Sequence, residues 1–291
     1  MIGGKAVAAE IRERVRQEVA LLAPAGIRPG LAAVRVGDDP ASEIYVRNKR
    51  KACEEAGIFS EEYPLSDRIS KSELLELINV LNRDPRISGI LVQLPLPKHL
   101  KEGEVLEAVV PQKDVDGFHR SNIGRLTLGE PALAPCTPLG IVALLDSIKA
   151  QIAGSHAVVV GRSNIVGKPA ALMLLHRNAT VTICHSHTRD LPNICRSADI
   201  LVAAIGRARF ITGEMVKEGA IVIDVGINRL ENGKIVGDVD FDAVSRRAGW
   251  ITPVPGGVGP MTIAMLLSNT LLAAKIQAGV GNLGTGLGTS S

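Results

Sequence analysis

A chain of 291 residues exceeds the usual size of one domain, so two domains of roughly 100 to 150 residues each are expected. Hydrophobic residues make up 46% and charged residues 22%, a globular composition, and no apolar run reaches the roughly 20 uncharged residues of a spanning helix, so no membrane partner is expected. Net charge is +3 from 33 basic and 30 acidic residues; with no long charged tail and only seven aromatics (one Trp, two Tyr, four Phe), the composition argues against a nucleic-acid partner. The N-terminus mixes Lys5, Glu10, Arg12, Glu13 and Arg14 with apolar residues, so no export leader is expected. Cys53, Cys136, Cys184 and Cys195 lie far apart, which suits free thiols in a reducing, cytoplasmic setting.

In chain order, Leu31–Val36 reads as a buried strand, and 37–42 supplies turn and helix-start chemistry for a helix ending near Gly57. On it the basic stretch Arg47–Lys51 is a solvated face or, alternatively, attracts an anionic substrate tail. Ser70–Arg83 carries Leu74, Leu75, Leu77, Ile78 and Leu81 at helical spacing, and Ile87–Leu94 is a second apolar strand closed by Pro95 and Pro97. A turn at Asp114–Gly117 leads into a long loop as far as Pro135-Cys-Thr-Pro138, followed by a connecting helix Leu139–Ile148. Strands at His156–Val160, Ala179–Cys184, Ile200–Ala204 and Ala220–Val225 follow with helices or loops between them, the pattern of a parallel sheet. Met261–Ile276 is a long apolar helix that could return to the first domain, and Gly279–Ser291 reads as a flexible tail.

Strand His156–Val160 runs into Gly161-Arg-Ser-Asn-Ile-Val-Gly167-Lys-Pro169 and then a helix start. That order aims free N–H groups and the positive dipole end at a pyrophosphate. The spacing departs from the common fingerprint: Ser163 stands at the second glycine and Gly167 falls one place late, so an ordinary glycine turn is the competing reading. Dinucleotide enzymes that prefer NAD carry Asp or Glu after the next strand, whereas here His185-Ser186-His187 follows Cys184. Arg162 and the Ser186 hydroxyl would suit a 2′-phosphate, pointing to NADP; as residue types alone they are also an ordinary surface arginine and loop serine. Strand alternation would send His185 and His187 to one side and Cys184 to the other, so no metal is expected.

Tyr45 and Lys49, four apart on the expected helix, share one face, about 5–6 Å apart at Cβ. Each alone has an ordinary explanation: Lys49 a surface charge, Tyr45 core, Gln93 a strand end and Asp116 a turn residue. Together with their contexts they resemble the bifunctional methylenetetrahydrofolate dehydrogenase/cyclohydrolase family. The resemblance is carried by Ser42-Glu-Ile-Tyr-Val-Arg-Asn-Lys49, Gly89-Ile-Leu-Val-Gln-Leu-Pro-Leu-Pro97, Lys113-Asp-Val-Asp-Gly-Phe118 and Pro135-Cys-Thr-Pro138. It continues through Val160-Gly-Arg-Ser163, Asp224-Val-Gly-Ile-Asn228 and Pro253-Val-Pro-Gly-Gly-Val-Gly-Pro-Met-Thr262.

The resemblance implies an α/β protein of two domains with a cleft between them. Residues 1–137 would form a folate-binding catalytic domain, completed by a C-terminal helix at about 259–277; residues 138–258 would form a Rossmann-like NADP domain, and 278–291 a flexible tail. It makes Lys49 the catalytic lysine, with Gln93 its polar neighbour, Tyr45 shaping the folate site and Asp116 holding the pterin. Gly161, Arg162, Ser163, Ser186 and Ile227 become NADP contacts, with Thr137 and Thr262 near the cofactor, and the protein becomes a homodimer. The residue chemistry agrees: a carboxylate's two oxygens match the pterin's adjacent ring N–H and amino donors, and a partly desolvated lysine of lowered pKa could move the protons of hydrolysis. The competing readings are a two-domain NADP dehydrogenase of another small substrate, such as an amino acid or shikimate-like acid, and an inert NADP-binding sensor.

Overall fold

The structure, a computed structural model, describes residues 1–130 and 132–280, with the main chain alone at Pro40, Ala41, Ser42, Ile44 and Tyr45. Its elements in chain order are α1 (Gly4–Leu22), β1 (Gly30–Val36), α2 (Pro40–Ala56), β2 (Phe59–Leu65), α3 (Lys71–Arg83), β3 (Gly89–Val92), α4 (Glu102–Ala108), α5 (Arg120–Leu128) and α6 (Cys136–Ser147). There follow β4 (His156–Val160), α7 (Gly167–His176), β5 (Thr180–Cys184), α8 (Leu191–Arg196), β6 (Ile200–Ala203), β7 (Ile221–Asp224), β8 (Asn228–Arg229), β9 (Ile235–Val236), α9 (Phe241–Val244), β10 (Trp250–Ile251) and α10 (Val258–Gln277). The segment expected as a flexible tail lies outside the described residues from position 281 on.

The chain divides into two compact units. One comprises Glu10–Cys136 with the described residues from Ile263 onward; the other comprises Met1–Ala9 and Thr137–Thr262. The first nine residues therefore group with the second half, where the sequence reading put them with the first. Hydrogen bonds explain the grouping: Ile2 N donates to Ile251 O at 2.9 Å and Lys5 N to Gly256 O at 3.2 Å. Gly4 also lies so close to Gly257 that a Cβ there would stand 1.8 Å from its carbonyl oxygen.

In the first unit β2, β1 and β3 form a parallel sheet in that order. Central β1 is apolar throughout its buried length because both of its faces are covered. Helix α3 starts from a capping box in which Ser70 and Glu73 satisfy each other's main-chain N–H. It buries Leu74, Ile78 and Leu81, side chains worth about 2 kcal/mol each when fully removed from water. Asp114 pairs with Ile90 of β3 in a parallel bridge, which lays the 114–116 segment beside the β3–Gln93 strand end. The long loop expected after Gly117 contains α5, nine residues started by the His119 side chain and stopped by left-handed Gly129.

The second unit is a five-stranded, fully parallel sheet in the order β10-β7-β6-β4-β5. Its first strand, β4, lies inside the sheet with β5 on one side and β6 on the other. Such a reversal of strand order opens a crevice at the carboxyl ends of β4 and β6. Helix α10 has the length and mean hydropathy of a spanning helix, but more than half of that stretch is buried inside the protein. It is a core helix, and Asn269 and Thr270 within it are hydrogen-bonded.

Candidate active site

Lys49 lies in the third turn of α2 and is buried, only 9% exposed. Its Nζ donates to Gln93 Oε1 at 3.1 Å. Gln93 is itself fixed: its main-chain N–H extends the ladder to Val34 O at 2.9 Å, and its Nε2 donates to Leu94 O at 2.7 Å. The amide oxygen is thus oriented toward the lysine by two other bonds. Tyr45 occupies the same helix one turn earlier, and its side chain lies outside the described set.

Asp116 completes the cluster. Asp116 is half-buried, and protein crowds its carboxyl group from one side. That burial pushes the carboxyl up to about 6; the Lys49 charge opposes the shift and the Asp114 charge adds to it. No described residue donates a hydrogen bond to this carboxylate, so both oxygens are open to a ligand. If the ionised form binds substrate, KM for that substrate rises as pH falls through about 6, roughly tenfold per unit once the group is protonated. An initial-rate series between pH 5 and 8 checks this, and a flat KM would contradict it. The linkage to stability runs the opposite way. The folded value lies above the ordinary 3.8, so the stabilising contribution is complete below that and is lost as pH rises through about 6.

Residues that sequence reasoning left without a role surround Asp116. Asp114, buried, accepts from Gly117 N (3.1 Å), Phe118 N (3.2 Å), His119 N (2.8 Å) and Asn122 Nδ2 (2.9 Å). Asn269 of α10 donates to Val115 O at 2.8 Å and Ala134 O at 2.9 Å. The Cys136 thiol donates to Val115 O at 3.3 Å; burial holds it well above its ordinary pKa, so it is a packed donor and no thiolate. One signal for Asn269 was available, an asparagine in an otherwise apolar helical run.

At the carboxyl end of β4 in the second unit, Gly161 has φ 133°, and a Cβ there would stand 2.1 Å from Ala204 O. Gly167 likewise leaves no room, its Cβ position lying 2.2 Å from Gly161 O. Ser163 Oγ accepts from Val166 N and Gly167 N at 3.1 and 3.2 Å, so the residue at the second-glycine position holds the turn that leads into helix α7. The N–H groups of Arg162, Ser163, Asn164 and Ile165 have no hydrogen-bond partner among the described residues. Exposed Arg162 has no ion pair there either. Such a loop is built to receive an anion.

Val160 and Cys184 are partners in the β4–β5 ladder, so Arg162 and Ser186 each stand two residues beyond paired strand ends. The segment His185-Ser186-His187 lies past the end of β5, so the strand alternation used to separate the two histidines from Cys184 does not apply. There His187 N donates to His185 Nδ1 at 3.2 Å. Beyond β7, exposed Ile227 sits between two anchored residues. Gly226 N donates to Asp224 at 3.0 Å, and Asn228 Nδ2 to Asp238 at 2.9 Å. Asp238, fully buried, also accepts from the main-chain N–H groups of Ile205, Gly206 and Arg207, fixing the loop after β6. Burial pushes the Asp224 carboxyl up to about 6 against three main-chain N–H donors. Thr137 and Thr262 meet through their hydroxyls at 3.2 Å. The free N–H groups, the uncommitted arginine and the missing carboxylate after β5 together fit a dinucleotide with a 2′-phosphate.

Comparison with known proteins agrees with both halves. The family model for the tetrahydrofolate dehydrogenase/cyclohydrolase catalytic domain matches residues 2–116, and that for the NAD(P)-binding domain matches residues 135–278. The bifunctional FolD protein of Moorella thermoacetica is 60% identical over 275 residues, covering 94% of this chain and 98% of the relative. The crystal structure of the bifunctional FolD enzyme from Campylobacter jejuni superposes with a TM-score of 0.94 at 53% identity, over 95% of this chain and 98% of that one. A FolD structure from Trypanosoma brucei, complexed with NADP and an inhibitor, gives 0.92 at 40% identity over 96% and 98%. On these matches, and on the site just described, the chain belongs to the tetrahydrofolate dehydrogenase/cyclohydrolase family.

Proposed function

We propose that this chain oxidises 5,10-methylenetetrahydrofolate to the methenyl form with NADP and then hydrolyses that product to 10-formyltetrahydrofolate. The observation that carries the reading is the buried Lys49–Gln93 hydrogen bond, with the open carboxylate of Asp116 in the same unit. In this reading Asp116 takes the pterin's ring N–H and amino group on its two oxygens, and Tyr45 shapes the site beside it. NADP, when bound, supplies the hydride acceptor. Gly161, Arg162 and Ser163 on the α7 loop, Ser186, Ile227, Thr137 and Thr262 hold it. For that step the protein aligns the reacting carbons and excludes water.

Hydrolysis of the methenyl product needs more. Water adds to the cationic carbon and loses a proton; the ring nitrogen gains one as its C–N bond breaks, and the carbinol hydroxyl gives up its remaining proton as the formyl C=O forms, so that one proton is released overall. Lys49 Nζ carries these protons. An amine still has N–H to donate to Gln93 Oε1 while its lone pair faces the water, so the Gln93 bond orients the lysine in either protonation state. Turnover of methylenetetrahydrofolate with NADP, set beside turnover of amino-acid and shikimate-type substrates, tests the assignment. Reduction of NADP by the folate alone is expected, and no turnover of it would refute the reading.

The four cysteines are buried free thiols, which suits a cytoplasmic location. The proposed homodimer is supported by exposed Leu175 and Ile183, the second on the edge strand β5 of the five-stranded sheet. Sedimentation of active enzyme at micromolar concentration is expected to give twice the 30.7 kDa chain mass, and a monomer mass would contradict it.

A further inference from the structure

Asp116 has no donor of its own among the described residues, whereas the main chain on both sides of it is bound at every turn. On the near side, Val115 O receives Asn269 Nδ2 at 2.8 Å and the Cys136 thiol at 3.3 Å. On the far side, the N–H groups of Gly117, Phe118 and His119 all end on the Asp114 carboxylate. That carboxylate is in turn held by Asn122, whose amide also donates to Pro111 O at 2.9 Å. Gly117 has φ 74°, and a Cβ on it would lie 2.3 Å from the carbonyl carbon of Ala134. The second proton of Asn269 Nδ2 goes to Ala134 O, so one side chain ties the 115–116 turn, the 134–136 segment and α10 together.

We propose that Asn269 and Asp114 are positioning residues for Asp116, fixing the main chain on its two sides so that its carboxylate offers two free oxygens to the adjacent N–H donors of the substrate. The proposal rests on the reading that Asp116 binds the folate. A buried asparagine in an apolar helix is costly unless its donors are used, and leucine of similar size would pack there more cheaply. Both donors serve the segments around Asp116. Asp114 is set the same way: a buried carboxylate, its burial raising its pKa, is stabilised by four N–H donors that all belong to the turn Asp116 occupies or to the helix after it. The charged and titratable groups facing Asp116 are Lys49 from α2, Asp114 from its own turn and the Cys136 thiol.

A double-mutant cycle separates positioning from a general structural role. Asn269→Leu is expected to raise KM for methylenetetrahydrofolate about tenfold, with KM for NADP unchanged. Asp116→Asn alone raises the same KM. In the Asp116→Asn background the further addition of Asn269→Leu is expected to change KM by less than about twofold, because there is no longer a carboxylate to place. If Asn269→Leu multiplies KM equally in both backgrounds, or leaves it at the wild-type value, the positioning role is overturned. If Asp116→Asn by itself leaves KM unchanged, the folate-binding reading fails first and takes the proposal with it. Should Asn269→Leu not fold, Asp114→Asn runs the same cycle with the same expected and overturning results. The amide that this substitution introduces can turn N–H toward His119 N and Asn122 Nδ2, which are donors too, so the turn loosens while the side-chain volume stays.

Discussion

Lys49→Arg is expected to lose at least about 100-fold in the hydrolysis of methenyltetrahydrofolate while retaining measurable hydride transfer. Lys49 is buried on α2 with its Nζ on Gln93 Oε1. Arginine preserves the charge and much of the hydrogen bonding, but its guanidinium stays protonated throughout the accessible pH range, so it cannot accept a proton from water. Oxidation of the methylene carbon moves a hydride and needs alignment with no proton carrier, so that step suffers only from the altered shape. The variant should therefore release methenyltetrahydrofolate that the wild type consumes. Gln93→Glu acts in the same direction through a different atom: a carboxylate at 3.1 Å favours the ammonium form and weakens hydrolysis. The check is the disappearance of methenyltetrahydrofolate in the absence of NADP, with folding of the variant shown by circular dichroism. A near wild-type rate for Lys49→Arg would make Lys49 a binding or structural lysine.

The second large effect concerns the cofactor. Arg162 is exposed, unpaired among the described residues, and stands on the loop whose N–H groups are free. Arg162→Ala is expected to weaken NADP by roughly 1.5–3 kcal/mol, the range for a lost charge-assisted hydrogen bond, and to leave NAD almost untouched because NAD has no 2′-phosphate. Wild-type kcat/KM is expected to favour NADP, and the variant should narrow that preference from the NADP side alone. Equal losses for the two cofactors would place Arg162 at the pyrophosphate, and a wild-type preference for NAD would remove the argument from the missing carboxylate after β5.

Local signals in the sequence reached most of the fold. Strand β6 is apolar throughout, and β1, β4 and β7 are apolar apart from Arg35, His156 and Asp224 at or near their ends, because parallel strands covered on both faces have no polar side to alternate with. Strand β2 gave no such signal: Phe-Ser-Glu-Glu-Tyr-Pro-Leu is a half-buried edge strand, where glutamates and a proline cost little. Helix α1 was legible in principle from Ala8, Ile11, Val15 and Val19, all buried at helical spacing. Helix α5 was not, since it buries only Asn122 and Leu126. In the site, the Tyr45–Lys49 spacing and the bonds of Asp114 to the turn after it are local, but the Asn269 bonds on the other side of Asp116 join positions far apart in the chain. Asn269 meets Val115 across 154 residues, and no periodicity encodes that meeting. The Asp238 side chain that fixes the loop after β6 is separated from Ile205 by 33 residues, with the same consequence.

The most direct test is to give purified enzyme methylenetetrahydrofolate and NADP and to follow NADPH and methenyltetrahydrofolate separately in one reaction. One chain that performs both steps produces NADPH steadily while methenyltetrahydrofolate stays low and 10-formyltetrahydrofolate accumulates in step with NADPH. Methenyltetrahydrofolate rising one for one with NADPH, with no faster hydrolysis than in buffer, would contradict the two-step activity and leave only a dehydrogenase.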